Sequence, residues 1–508
     1  MKPQSLQTRI LSILTALVLS GLSVLSLFSL VSCGQLKEIK NNSGSYSNTS
    51  RQTEPIPTET VELETLQSDP AASENPLLPI LPNPFEGVSF GGETVVLTVP
   101  AEAKTEFFGD RQGSVISAAV FQRNRSVEAR IGISLMENTP KNVDSYKNGY
   151  ADYLQQSSLS GTEIGIAAVP SELIYLAVSG ILRDLSSLQV NLLNPWFDES
   201  FLNTVGIGGT FPFAVGDMTP SAWENSPAVL VSAAESDLLN FSYLYQVVRS
   251  QQWTLDFLNE LATLLNTGIQ RNALTVTNVS LSSMMYGSGL RLTERLENGN
   301  PDFCLPNIVS VESFTSLSNL FLLDQKNPVR QSEAAAQQGF LSGSTVLLVD
   351  RLGSAHTLCK SNPALKLIYL PLPKQDSSLT GYFTTPTQFS MLSVPTGGTQ
   401  NLQITATALD ALGYDSALSL SVAFLQTYLT QYGQGDTAAA EMLSYILLGI
   451  TFEPEILWDS MLDQPWKTVQ FMLTENMQDF LSHYMSRIES YRIKLTQLIQ
   501  KLSQQKKT

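Results

Sequence analysis

Histidine and cysteine are scarce in this chain of 508 residues: two histidines (His356, His483) and three cysteines (Cys33, Cys304, Cys359). So few imidazoles and thiols make a histidine-based hydrolase or a multi-ligand zinc site hard to build. No CxxC pair is present. Basic charge is short as well. Lys and Arg total 30 against 46 Asp and Glu, a net charge of −16. A nucleic-acid binder needs a basic face for the phosphates, and this balance argues against one. It does not suit an anionic membrane surface either. Charged residues of both signs reach only 15%, while 43% are hydrophobic. That composition is not a disordered acidic chain. The length suffices for a large core in two or three structural units.

What is present begins at the N-terminus. Lys2 and Arg9 form a short positive region, and Ile10 to Leu30 carries no charge. Small residues then lead to Cys33 in Leu30-Val31-Ser32-Cys33-Gly34. This is the pattern of an export signal. The cysteine directly after the apolar run resembles a bacterial lipobox. That resemblance implies cleavage after Ser32, lipidation of Cys33 and a signal peptide of residues 1–32. The alternative is an uncleaved anchor, because the apolar run is long enough to span a bilayer. Either way the body is expected outside the cytoplasm, tethered to a membrane. Residues 33–85 fit a tether: Asn41-Asn42-Ser43-Gly44-Ser45 and seven prolines between Pro55 and Pro84 bury too little apolar area to offset their ordering entropy. Cys304 and Cys359 remain. They suit one disulfide in an oxidising exterior or, the favoured reading, two free buried thiols.

Along the body, short apolar strands alternate with amphipathic helices. Strands are expected at 88–99, 131–135, 164–169, 228–232, 345–349, 367–370 and 389–394. Helices are expected at 114–129, 143–158, 238–250 and 254–266, with Thr254 as an N-cap. Residues 206–215 read as hairpin-like. After Thr399 the pattern is mainly helical, and Ile488, Tyr491, Leu495, Leu498 and Leu502 keep one stripe of the last helix. This alternation predicts an α/β fold with a largely parallel sheet.

Several segments resemble the family 1 extracellular solute-binding proteins of ABC importers, in their sugar-binding branch. They are Phe121-Gln122-Arg123-Asn124-Arg125-Ser126-Val127-Glu128, then Asn194-Pro195-Trp196-Phe197, Ile207-Gly208-Gly209 and Phe213-Ala214-Val215-Gly216-Asp217. Trp253-Thr254-Leu255-Asp256, Tyr286-Gly287-Ser288-Gly289 and Leu370-Pro371-Leu372-Pro373-Lys374 follow in the family's order. The resemblance runs from about Phe85 to about Ser503. It implies a two-lobed periplasmic-binding-protein-like fold of type II, with the ligand in a cleft between α/β lobes that closes by hinge motion. It also implies a binding protein and not an enzyme, a carbohydrate solute, permease subunits of an importer as partners, no cofactor and a monomer. Crossings between lobes are placed near Phe211–Val215 and Val346–Arg351. Residues 86–210 and 352–390 then form lobe 1, and residues 211–351 and 391–508 form lobe 2. The segment Thr162-Glu163-Ile164-Gly165 and the run after Asp217 depart from the family pattern, so a changed or lost ligand, on a lipoprotein with a sensor or scaffold role, is the alternative.

A pyranose offers an apolar C–H face and a rim of hydroxyls, which call for aromatic rings and short polar groups. Such groups sit best just past strand ends and at lobe crossings. The candidates are Ser171 and Glu172 after one strand, Asp217 and Trp223 after the first crossing, Tyr286 on a Gly-rich turn, and Tyr382. Each also has a plain reading. Asp217 suits a local cap, and the tyrosines suit half-buried turn positions. Trp196 and Trp253 read as core, and Arg123 and Arg125 as a solvated helix face. A glycosidase needs two facing carboxylates, and no motif positions such a pair.

Overall fold

The computed structural model describes residues 81–505 apart from 142–148, 162–163, 189, 269–270, 305, 323–328, 399–400, 476 and 478. The leader, Cys33 and nearly all of the tether lie outside the described residues. In chain order the strands are β1 (Glu93–Thr98), β2 (Ile133–Asn138), β3 (Ile166–Pro170), β4 (Pro227–Ser232), β5 (Asn272–Thr277) and β6 (Thr293–Arg295). Then follow β7 (Pro301–Phe303), β8 (Val329–Gln331), β9 (Thr345–Arg351), β10 (Leu367–Leu370) and β11 (Ser390–Ser393).

Two mixed sheets define two lobes. The first has the order β11-β3-β1-β2 and the second β10-β4-β9-β5-β8. In the first, β1 runs parallel to β2 and β3, while β11 is antiparallel to β3, with Leu392 opposite Ala168. In the second, β5 is parallel to β8 and β9, and β4 is antiparallel to β9 and β10. Central strands such as Ala228–Val231 and Val346–Val349 are buried on both faces, which is why they read as unbroken apolar runs.

Local chemistry explains the helix ends. The Ser114 hydroxyl accepts from the Ser117 N–H and opens the helix Val115–Ile131, which closes at Gly132 with φ +62°. A Cβ at Gly132 would also lie 2.5 Å from Ser89 Oγ, so the turn into β2 requires glycine. Thr254 caps as expected, its Oγ1 accepting from the Phe257 N–H at 3.2 Å. In the last helix, Phe480–Gln505, the whole predicted stripe of Ile488, Tyr491, Leu495, Leu498 and Leu502 is buried.

Strand pairing redraws the expected lobe boundaries. Phe211–Val215 is not a crossing and not a hairpin, because Ala214 bridges Leu392 and so extends the first sheet. Val346–Arg351 is not a crossing either; it lies in β9, between β4 and β5. Residues 352–384 belong with the second lobe. The Leu367–Leu370 run buries itself by pairing with β4, and Thr384 Oγ1 donates to the Pro227 carbonyl at 2.8 Å. The chain crosses at 219–226 and returns at 385–389. A third crossing is the apolar rod Leu402–Tyr432, in which π-helical turns occupy Ser416–Leu420 and Thr427–Tyr432. Its first half packs in the core of the first lobe (Leu409, Leu412, Ala417) and its second half in that of the second (Phe424, Leu425, Tyr428). A helix packed by both lobes is apolar all round. That accounts for a rod long and apolar enough to cross a membrane of which 67% of the apolar window is buried.

The C-terminal helices join the lobes behind the cleft. Thr210 Oγ1 donates to the Leu502 carbonyl at 3.0 Å, Thr204 Oγ1 to the Phe452 carbonyl at 2.6 Å, and Trp458 Nε1 to the Thr204 carbonyl at 3.2 Å. Cys304 and Cys359 are both free thiols.

Candidate functional site

Two adjoining cavities lie between the lobes. The first, about 400 Å³, is walled by the loop after β1 (Glu102, Thr105, Glu106), by the outgoing crossing (Pro220, Ser221, Glu224, Asn225) and by Arg351 and His356 beyond β9. The second, about 290 Å³, is walled by Ser171 and Ile174 after β3, by the returning crossing (Thr385, Pro386, Thr387) and by Glu453, Asp459 and Trp466 of the C-terminal helices. Glu172 and Phe389 line both. The crossings thus form part of the walls of each cavity, and the other walls come from both lobes.

A buried ionic network anchors the crossings to the first lobe. Glu106 Oε1 accepts from the Ser221 N–H at 3.1 Å, and Oε2 from the Ser390 hydroxyl at 2.6 Å. One residue of the first lobe thereby grips both crossing strands. Burial raises the Glu106 carboxyl above its ordinary range, against the lowering effect of these hydrogen bonds and of Arg123. Arg123 is fully buried, contrary to the solvated face expected for it. Its guanidinium donates to Asn124 Oδ1 at 3.0 Å, the Phe107 carbonyl at 3.1 Å and the Met218 carbonyl at 3.5 Å. Desolvation lowers Arg123 to about 10, while Glu106 and Asp415 favour its charge. Arg125 does face solvent, pairing with Glu128 at 2.9 Å.

Glu224 ends the short helix Ser221–Glu224 on the outgoing crossing. Burial first, and then the neighbouring Glu106 charge, push its carboxyl up to about 7; Arg351 opposes this. Arg351 is held by an ion pair with Glu333 and donates to Asn225 Oδ1 at 3.0 Å. In the second cavity, burial raises the Asp459 carboxyl to about 6, against its hydrogen bonds from the Trp466 and Lys467 N–H groups. Burial and the adjacent Glu455 raise Glu453, which accepts from the Tyr286 hydroxyl at 2.6 Å. Trp466 Nε1 donates to Ser282 Oγ at 2.5 Å. The Phe389, Phe452 and Phe201 rings meet edge-to-face at 5.1–6.0 Å.

The candidates read from the sequence scatter. Ser171 and Glu172 stand in the cleft, Glu172 in both cavities. Trp223 lies on the outgoing crossing, but its ring packs on Phe424 at 5.1 Å while its neighbours Glu224 and Asn225 line the cavity. Asp217 is buried just before the crossing, its N–H on the Trp196 carbonyl at 3.0 Å and its charge near Asp198. Tyr286 is not on an open turn. It closes the helix Leu281–Ser288, buried, with the Arg291 guanidinium 3.5 Å from its ring centroid. Tyr382 is buried too, its hydroxyl donating to the Val248 carbonyl at 3.0 Å. Trp196 and Trp253 are core residues, each with its indole N–H satisfied, on Asp410 and on the Pro371 carbonyl. Glu106, Glu224, Asp459, Phe389 and Trp466 stand in the cleft without having been singled out. Phe389 began a predicted strand; the others carry no local motif. Among the described residues no group of three or more His, Cys, Asp or Glu is placed to hold a metal ion.

No protein-family model matches the chain, and no curated protein matches it by sequence. Solved structures do match its fold. A cyclo/maltodextrin-binding protein complexed with maltotetraose aligns with a TM-score of 0.52 at 11% identity, covering 81% of this chain and 98% of that one. The maltose-binding periplasmic protein of Listeria monocytogenes, in complex with maltose, aligns with a TM-score of 0.52 at 14% identity, covering 80% and 98%. The chain therefore has the two-lobed periplasmic-binding-protein fold that its motif order implied.

Proposed function

We propose that the chain is an extracytoplasmic solute-binding lipoprotein that takes a small carbohydrate into the interlobe cleft and delivers it to an ABC importer. The observation that carries this reading is the cleft itself, walled by both lobes and by the crossings that join them. Hinge closure there would bury a solute between them. Cavities of about 400 and 290 Å³ match the small end of ligand sites and suit a mono- or disaccharide. The two solved relatives in fold, which hold maltotetraose and maltose, support a carbohydrate as the ligand class.

Cys33 is proposed as the lipidated residue and the tether as the spacer that holds the body off the membrane. Replacing Cys33 with Ser tests this part: the variant is expected in the soluble fraction and the native chain with membranes. For the solute, thermal unfolding of the purified chain is measured against mono- and oligosaccharides. A ligand at a hundredfold excess over Kd adds about 2.7 kcal/mol, expected to raise the midpoint by about 3 °C at this chain size. A folded chain that no sugar shifts refutes the carbohydrate reading.

A second reading is a non-transport lipoprotein on the same fold. The burial of Trp466 and Phe389 favours it, because ring faces shut inside the core do not stack on a pyranose. No reaction is assigned to the cleft acids. Glu106 has both oxygens engaged by the crossing strands, which gives it a structural role. Incubation with aryl glycosides is expected to release no aglycone.

A further inference from the structure

The cleft holds more acid than it neutralises. Glu102, Glu106, Glu172 and Glu224 line the first cavity, and the permanent cation beside them, Arg351, is already paired with Glu333. Glu172, Glu453 and Asp459 line the second cavity against Lys467. Carboxylates gathered between low-dielectric walls set up a negative potential that repels an anionic solute and draws a cationic one.

One of these acids is incompletely satisfied. Asp459 is 7% exposed. Its Oδ1 accepts from the Trp466 N–H at 2.7 Å and the Lys467 N–H at 3.4 Å, at the start of the helix Pro465–Thr474. Its Oδ2 is buried and accepts no hydrogen bond. Thr387 Oγ1, on the returning crossing and lining the same cavity, is also buried without a partner. Leaving a buried polar atom unsatisfied costs about 1–3 kcal/mol, and more if it is charged. Two such atoms in one cavity are unusual for a native fold.

Resting on the reading of the cleft as a solute site, we infer that the solute carries a protonated amine, seated against Asp459 and Thr387 in the second cavity. An ammonium group has three N–H donors and no acceptor. It satisfies the orphan carboxylate oxygen and the threonine hydroxyl oxygen together, and it offsets the acid excess. Within the carbohydrate reading the solute is then an amino sugar; a polyamine presents the same group without the ring. Burial already biases Asp459 and Glu453 toward their neutral forms. An arriving ammonium draws them back to carboxylates, so binding near pH 6 expels protons.

Calorimetric titration of the purified full chain at low salt tests this. The probes are glucosamine, its neutral N-acetyl derivative, glucose, maltose and spermidine. Glucosamine is expected to bind at least tenfold more tightly than the N-acetyl form. At pH 6 its apparent heat is expected to vary with the buffer's ionisation enthalpy. Asp459→Asn keeps an oxygen for the Trp466 N–H and removes the charge. It is expected to weaken glucosamine roughly tenfold to a hundredfold with the melting midpoint retained, and Thr387→Val is expected to act in the same direction. Neutral sugars binding as tightly as glucosamine would overturn the inference and leave the carbohydrate reading standing. Spermidine binding without any sugar would do the reverse. A folded chain that binds none of them overturns both.

Discussion

Glu224 makes the stability of this protein depend on pH in a direction opposite to that of most paired carboxylates. Its folded carboxyl sits at about 7 against an ordinary 4.5, chiefly because burial disfavours the charge. Between those values the folded chain holds a proton that the unfolded chain has released. The group's contribution is therefore fully present below pH 4.5 and is lost as pH rises through 7. A gap of that size at 1.36 kcal/mol per unit amounts to about 3 kcal/mol. Glu224→Gln has the shape of the protonated acid and cannot ionise. It is expected to match the native chain near pH 4.5 and to exceed it by up to about 3 kcal/mol at pH 8, or roughly 3–6 °C for a chain of this size. Asp198 and Asp459, both raised to about 6, titrate in both proteins and cancel in the comparison. The assay is thermal unfolding of both chains from pH 4.5 to 8.5 without ligand. A difference between them that stays constant across this range would refute the argument.

Other perturbations probe the frame around the cleft. Arg123→Met strips Glu106 of its cation and frees the Phe107 and Met218 carbonyls, and is expected to cost about 3–5 kcal/mol in urea unfolding. Arg123→Lys is not expected to restore it, because one ammonium cannot reproduce the planar spread of donors; full recovery by lysine would point to charge alone. Leu502→Ala, at a fully buried position of the last helix, is expected to cost about 2–5 kcal/mol by opening a cavity in the seam behind the cleft. Cys304 and Cys359 are free, so a reducing agent is expected to leave the melting midpoint of the body unchanged; a fall of several degrees would reveal a disulfide.

Secondary structure was legible wherever the chemistry is local. Apolar runs marked β4, β9 and β10, a hydroxyl marked the start of the helix after Thr254, and the 3.6-residue stripe marked the last helix. The order of short motifs was enough for the two-lobed fold. Those motifs are concentrated at turns, caps and core tryptophans such as Trp196 and Trp253, where the fold constrains residue type directly.

The lobe boundaries and most of the site were decided by tertiary structure. Nothing in Leu367–Leu370 says which sheet it joins; only the free edge of β4 settles that. The pattern around Arg123 is that of a solvated helix face, yet the loop after β1 and the Met218 carbonyl fold over it and make it a buried anchor. Tyr286 and Tyr382 have the residue type of a sugar contact, but their hydroxyls are spent on Glu453 and on the Val248 carbonyl. The acids of the cleft come from the loop after β1, a crossing strand and the C-terminal helices. Each alone is an ordinary surface acid by composition. Their charge is concentrated, and their proton affinity raised, only because folding brings them together away from water.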